Sequence, residues 1–238
     1  MKKGCLITSV IALAAFAVGI ALIYRIFFIP SGIEIDKKKY PITGIDVSKH
    51  SGKIDFKKVQ SESIDFIIIK ATEGENYVDE MFEKNYIGAK QNAIPIGVYH
   101  FFRFNKSGKN QAENFLSKIK GKRFDLPFVL DIEEWGNITT ETTNEVIFQI
   151  NEFIILVKKV SGERIMIYTN ESSYNKYVKE NFDKNDIWIC SFSKKPTISK
   201  QWTLWQHSHK GKFDFAPGWI DINTFNGNRD EWNRYLRR

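Results

Sequence analysis

In the run Pro127-Phe128-Val129-Leu130-Asp131-Ile132-Glu133-Glu134-Trp135, four apolar residues lead straight into two carboxylates spaced i, i+2. On a strand that spacing sends Asp131 and Glu133 to one side and Ile132 to the other, with roots about 6.6 Å apart. Two acids that close in a sheltered place do not both ionise freely, so one holds its proton toward neutral pH. A glycosidase needs that arrangement, with one carboxylic acid to protonate a leaving oxygen and other carboxylates to stabilise an oxocarbenium-like centre. The competing reading is a strand end whose acids cap a neighbouring helix or pair with lysines, and this stretch alone does not separate the two.

The acids need a scaffold, and from residue 42 short apolar runs alternate with helical patterns, the signature of βα units around a parallel sheet. The runs are Ile42 to Val47, Ile64 to Lys70, Ile94 to His100, Leu126 to Asp131 and Arg164 to Thr169. Between them Phe82, Tyr86 and Ala89 share one helical face, and Ala112, Phe115, Leu116 and Ile119 share another. The longest helix is predicted over about 140–160, with Val146, Ile147, Ile150, Phe153, Ile154 and Val157 as its stripe and Gly162 past its end. Ser172 to Glu180 makes a shorter one. Beyond it Asp186 to Phe192, Thr203 to His207 and Trp219 to Asn223 follow with loops in place of helices. Five βα units and three further strands make eight, enough to close a barrel.

With 238 residues, 42% hydrophobic and 14% aromatic, the chain can bury one good core in a single barrel-type domain. Its net charge of +7 favours polyanionic surroundings such as a bacterial wall, an anionic membrane surface or nucleic acid. The lysines are scattered, without the interleaved aromatics of a nucleic-acid platform, so nucleic acid is set aside. Neither Cys5 and Cys190 nor His50, His100, His207 and His209 complete a metal-ligand spacing, and no metal or cofactor is expected. At the N-terminus Lys2 and Lys3 precede the uncharged run Gly4 to Tyr24. Its continuous apolar part is about 19 residues, roughly 28 Å as a helix against a hydrocarbon core of about 30 Å. Ala15-Phe16-Ala17 has the small-x-small form of a cleavage site. The apolar run continues past it, however, which favours an uncleaved transmembrane signal anchor over residues 1–29. Lys2 and Lys3 then stay in the cytoplasm and the body faces outward; cleavage would release it as a secreted protein. Residues 30–41 read as a polar linker, and 42–238 as the catalytic barrel.

Placed on that barrel, the polar residues breaking the strands near their carboxyl ends are Asp46, Lys70, Tyr99, Asp131 with Glu133, Tyr168, Trp188, Gln206 and Asp221. Barrel enzymes keep their active sites on that rim. One acid at a strand end is explained by a cap or turn. Four acids from three strands, with Tyr and Trp able to stack on a sugar ring, make a site.

The blocks Gly44-Ile45-Asp46-Val47-Ser48, Ile69-Lys70-Ala71-Thr72-Glu73-Gly74 and Gly97-Val98-Tyr99-His100-Phe101-Phe102 stand in order with Leu126 to Glu133, Ile167-Tyr168-Thr169-Asn170, Trp188-Ile189, Leu204-Trp205-Gln206 and Ile220-Asp221-Ile222-Asn223. In these blocks the chain resembles the family 25 glycoside hydrolases, lysozyme-type muramidases that cut peptidoglycan. The resemblance implies an α/β fold, an irregular TIM-like (β/α)5β3 barrel. It also implies hydrolysis of the β-1,4 bond between N-acetylmuramic acid and N-acetylglucosamine. Glu133 would be the general acid. Asp131 would be the second catalytic carboxylate, attacking directly or orienting the substrate's 2-acetamido group to attack. Asp46 and Asp221 would tune pKa values and bind the sugar, while Lys70, Tyr99, Tyr168, Trp188 and Gln206 line the cleft. The expected partners are peptidoglycan glycan strands and, through the N-terminal helix, the cytoplasmic membrane, with the enzyme a monomer. A catalytically silent peptidoglycan-binding module on the same barrel is the alternative. The chain departs from the family pattern at Cys190-Ser191-Phe192, where a small residue and then Tyr are usual, and at His207, where an aromatic is common. Alternation points Glu134 outward, as a structural residue.

Overall fold

Side chains alternating along eight strands separate two apolar layers, and that alternation closes the barrel. The computed structural model describes residues 32–236 and, apart from these, Phe16. The expected membrane segment, residues 1–29, otherwise lies outside the described residues. Among the described residues no helix is long and apolar enough to cross a membrane.

The strands are β1 (Thr43–Val47), β2 (Phe66–Glu73), β3 (Tyr77–Val78), β4 (Ile96–Phe101), β5 (Phe128–Asp131), β6 (Ile165–Asn170), β7 (Asp186–Cys190), β8 (Leu204–Gly211) and β9 (Ile220–Phe225). They pair in the order β1-β9-β8-β7-β6-β5-β4-β2, and β1 returns to β2, so the ring closes on eight strands with β3 hung outside on β2. Ile42, Phe66, Ile68, Val129, Met166, Trp188 and Leu204 fill the interior. The alternate residues Ile45, Val47, Ile67, Ile69, Val98, Leu130, Ile167 and Ile187 face the surrounding helices. Gly44 lies in register with Phe66, whose ring comes 2.2 Å from where a Cβ on Gly44 would sit, so the large ring fits only because its neighbour has no side chain.

The helices are α1 (Phe56–Val59), α2 (Phe82–Gln91), α3 (Gly108–Ile119), α4 (Thr143–Ser161), α5 (Glu171–Ser173, continued by a wider turn over Tyr174–Val178) and α6 (Arg229–Leu236). The longest, α4, matches its predicted stripe: Val146, Ile150, Phe153, Ile154 and Val157 are buried. Thr142 and Glu145 close it with a capping box, and Gly162 ends it at φ 72°.

Two features differ from the sequence expectation. First, β9 runs antiparallel to both its neighbours, β8 and β1. The connection 212–219 is too short for a parallel crossover, which needs roughly a dozen residues, so it folds back as a hairpin. Second, the stretch expected as a polar linker is packed on the barrel from Gly32 onward. Gly32 bridges to Ser208, the Ile33 amide donates to the His207 carbonyl at 2.9 Å, and Tyr40 is buried against Trp202. The isoleucines at 33 and 35, interleaved with polar residues, supply its apolar side.

Helix α6 closes the amino end of the barrel. Trp232 packs on Phe66 and Phe225 at 4.9 and 5.1 Å, Tyr235 donates to Asp186 at 2.8 Å, and Arg229 pairs with Asp65 at 2.6 Å. The opposite end stays free for polar groups.

Candidate active site

All nine residues singled out from the sequence face the barrel's carboxyl-end mouth or the layer just beneath it, though Asp221 arrives by a different route from the one expected. It is the second residue of β9, and only because β9 is antiparallel does that amino end lie at the mouth, directly opposite Asp46. Hydrogen bonding ties the two carboxyls together. Asp46 also accepts from the Gln206 amide at 2.9 Å and the Asn223 amide at 2.8 Å. Burial raises the Asp46 carboxyl, against the pull of those donors. Asp221 is pushed up to about 9, by burial first and then by the Asp46 charge. Asp46, held by two N–H donors, therefore carries the charge of the pair and Asp221 the proton.

Asp131 ends β5 and Glu133 follows two residues on, the chain between them fixed by the Ile132 amide donating to the Tyr168 carbonyl at 2.8 Å. Glu133 is raised to about 7, by burial first and by the Asp46 charge second, with Lys70 opposing. The sequence anticipated a proton held to neutrality and gave like charge as the reason; desolvation is the larger cause. Asp131 is raised well above the usual carboxylate range, by burial and then by Glu133. Its Oδ1 is buried and has no hydrogen-bond partner among the described residues, an acceptor left unsatisfied beside Glu133.

Lys70 and Glu73 reach the same side of β2 through a register shift after Lys70, which pairs with Tyr99, while Thr72 pairs with His100 and Glu73 with Phe101. Ala71 is the extra residue of this bulge, and without it Glu73 would point away. Lys70 Nζ lies 2.7 Å from Glu73 and 5.0 Å from the Phe101 ring centre, and Arg103 grips the same carboxylate through Nε at 2.9 Å. The lysine is thus held in place, and its charge reaches both Asp131 and Glu133. Tyr99, half-buried beside Lys70 in register, is kept protonated by burial and by the carboxylates around it, so it remains a donor.

Three residues expected to line the cleft form a buried relay instead. Trp188 is 2% exposed, donates its ring N–H to Asn223 Oδ1 at 2.8 Å and meets Tyr168 edge-on at 4.6 Å. No face of that indole is free to stack on a sugar, because Tyr168 and the barrel core cover it. Tyr168 donates to Gln206 Oε1 at 2.8 Å, and Gln206 in turn donates to Asp46. The relay fixes both amides so that their N–H groups, rather than their carbonyls, meet the carboxylate.

Sequence reasoning gave no role to Asn223, Glu73 or Cys190. Asn223 was within reach, since it stands two residues from Asp221 and shares its face. Glu73 was hidden by the bulge. Cys190, opposite Gln206, sits against Tyr168 with its thiol pushed up to about 12 by burial, an uncharged group in the wall. Glu134, expected outside, is exposed and bound to Lys176 at 2.6 Å and to the Tyr177 hydroxyl at 3.0 Å. His207 Nδ1 lies 3.0 Å from the Ile33 carbonyl, whereas His209 packs on Phe192.

The mouth therefore holds a carboxylic acid protonated near neutrality, a second buried carboxyl beside it and an ionised aspartate fixed by amides. That set suits protonation of a leaving oxygen with stabilisation of a positive centre. Residues 45–215 match the model of the glycosyl hydrolases family 25. Lysozyme M1 of Streptomyces globisporus is 36% identical over 204 residues, covering 78% of this chain and 68% of that protein. Among solved structures, a family 25 glycosyl hydrolase from Bacillus anthracis superposes with a TM-score of 0.78 at 32% identity, covering 86% of this chain and 97% of the other. A bacterial lysozyme from Streptomyces coelicolor gives 0.74 at 34% identity, covering 82% and 96%.

Proposed function

Because the chain belongs to the glycosyl hydrolases family 25, and is a glycosidase, we propose that it is a muramidase that cuts the β-1,4 bond between N-acetylmuramic acid and N-acetylglucosamine in peptidoglycan. The observation that carries this reading is Glu133, a carboxyl raised to about 7 beside a second raised carboxyl whose buried Oδ1 has no hydrogen-bond partner among the described residues. Glu133 gives its proton to the glycosidic oxygen as the bond breaks. Asp131, in its ionised form, which the Lys70 charge favours against burial and the Glu133 charge, stabilises the positive charge that develops at the anomeric carbon. Asp46 and Asp221 accept hydroxyl or acetamido hydrogen bonds from the sugar, and the Asp46 charge keeps Glu133 protonated until substrate arrives. Lys70 and Tyr99 border the same space from β2 and β4.

The test is digestion of purified peptidoglycan by the full chain and by Glu133→Gln, with products resolved by mass and reducing end. New muramic acid reducing ends, reduced about 10²–10⁴-fold in the variant, are expected. Binding without release by the wild type would turn the reading to a wall-binding module, and release unchanged in Glu133→Gln would move the acid elsewhere.

The same reading places the enzyme outside the cytoplasmic membrane, held by residues 1–29. The uncharged run Gly4 to Tyr24 behind Lys2 and Lys3 supports the anchor, and a net charge of +7 suits an anionic wall. Protease added to intact wall-stripped cells should remove the barrel and leave a membrane-bound N-terminal fragment. Protection of the barrel would refute that orientation.

A further inference from the structure

Two tryptophans stand exposed at the mouth, one on each side of the acids. Trp135 is 79% exposed and Trp219 51%. Trp135 follows the acids of β5, and Trp219 precedes Asp221 of β9 by two residues. In the ring order, β9, β8, β7, β6, β5, these strands are separated by three others, which in an eight-stranded barrel makes them diametrically opposite.

Neither ring is exposed because its loop is loose. The turn bearing Trp135 is held on both sides. Glu134 is bound to Lys176 and Tyr177, and Asn137, buried, donates to the Phe102 carbonyl at 2.7 Å and the Glu133 carbonyl at 3.0 Å. Arg103 also donates to the Gly136 carbonyl. The β8–β9 hairpin is tied down by the Asp55 amide donating to the Phe215 carbonyl at 2.8 Å. Trp219 there lines a groove of about 410 Å³ with Lys212, Phe213, Asp214 and Pro217, and the Lys212 ammonium lies 4.6 Å from its ring centre. A large apolar ring left in water on a support tied down by hydrogen bonds is a surface prepared for a ligand.

We propose that Trp135 and Trp219 are two sugar platforms beyond the bond-cleaving centre, one on each side, which hold an extended N-acetylhexosamine strand along the β5–β9 diameter. The inference rests on the muramidase reading and deepens it. Asp131 and Glu133 of β5 and Asp221 of β9 lie on that diameter, with Asp46 beside it on β1, so a strand resting on both rings passes its inner linkage over Glu133. The enzyme then cuts within long strands in preference to short fragments. Lys212 beside Trp219 meets the carboxylates of the stem peptides, or of the lactyl groups where the stem is missing.

The experiment compares the full chain with Trp135→Ala, Trp219→Ala and the conservative Trp135→Phe and Trp219→Phe. The substrates are soluble uncrosslinked glycan strands and a tetrasaccharide of the same repeat. Each alanine variant should raise KM for the long strands about tenfold, which corresponds to about 1.4 kcal/mol, with kcat and the tetrasaccharide constants unchanged. Each phenylalanine variant should recover most of the loss. Binding of long strands to proteins that also carry Glu133→Gln gives the same comparison as Kd without turnover. Equal losses on both substrates, or none on either, would overturn the platforms. If the wild type cuts nothing, the muramidase reading fails by itself, while a Kd difference confined to long strands still upholds the platforms.

Discussion

Glu133 keeps its proton because water is excluded from it and Asp46 is ionised nearby, and both causes are local. As the acid it is competent below about pH 7 and ionised above, so kcat/KM should fall about tenfold per pH unit on the alkaline side. Lys70 opposes that shift at Glu133 and at Asp131. Removing its charge favours the protonated forms, so Lys70→Gln should move the alkaline limb to higher pH while lowering kcat, since Asp131 is then less often anionic. A pH–rate profile with an unmoved limb would take Lys70 out of the acids' field. Trp188 offers a sharper discrimination. Trp188→Phe keeps an aromatic ring but loses the N–H that fixes Asn223. One hydrogen bond contributes about 1 kcal/mol, so kcat should fall about fivefold with KM unchanged. A rise in KM alone would instead mean that the indole touches the sugar.

At the level of elements, the parts dictated by local pattern were the legible ones. The stripe and caps of α4 follow from residues within one helix, and Thr142→Ala should cost about 1 kcal/mol of stability, read by denaturant unfolding at constant m-value. The eight strands and most mouth residues followed from period-2 runs with a polar break. What the sequence concealed depends on pairing. The direction of β9 is decided by the span 212–219, and it alone explains how Asp221 meets Asp46. The bulge at Ala71 is visible only in the register with β4, and it brings Glu73 round to Lys70. Helix α6 was missed because only Trp232, Tyr235 and Leu236 of its residues are apolar, and they bury against the barrel's end rather than its side. Interior shape was equally hidden. Gly44→Ala puts a methyl into the Phe66 ring and should destabilise the barrel by about 1–3 kcal/mol, visible as a lowered Tm.

Across the whole molecule the two barrel ends do opposite work. The amino end is filled by Trp232 and Tyr235 and stabilises the fold. The carboxyl end gathers four acids where burial disfavours their charges, and so it makes stability depend on pH. The sign follows from Asp221. Unfolded, it releases its proton near the ordinary value of about 4; folded, it keeps the proton to about 9. Between those values the native state binds more protons than the unfolded chain, so stability falls as pH rises through the window. Glu133 adds to this fall between about 4 and about 7. Asp221→Asn replaces the titrating group with a neutral one that still offers an N–H to Asp46. Its Tm should therefore lie close to that of the wild type at pH 5 and rise above it progressively toward pH 8. Parallel Tm curves across that range would mean that Asp221 ionises as readily folded as unfolded, and the proton of the pair would then belong to Asp46.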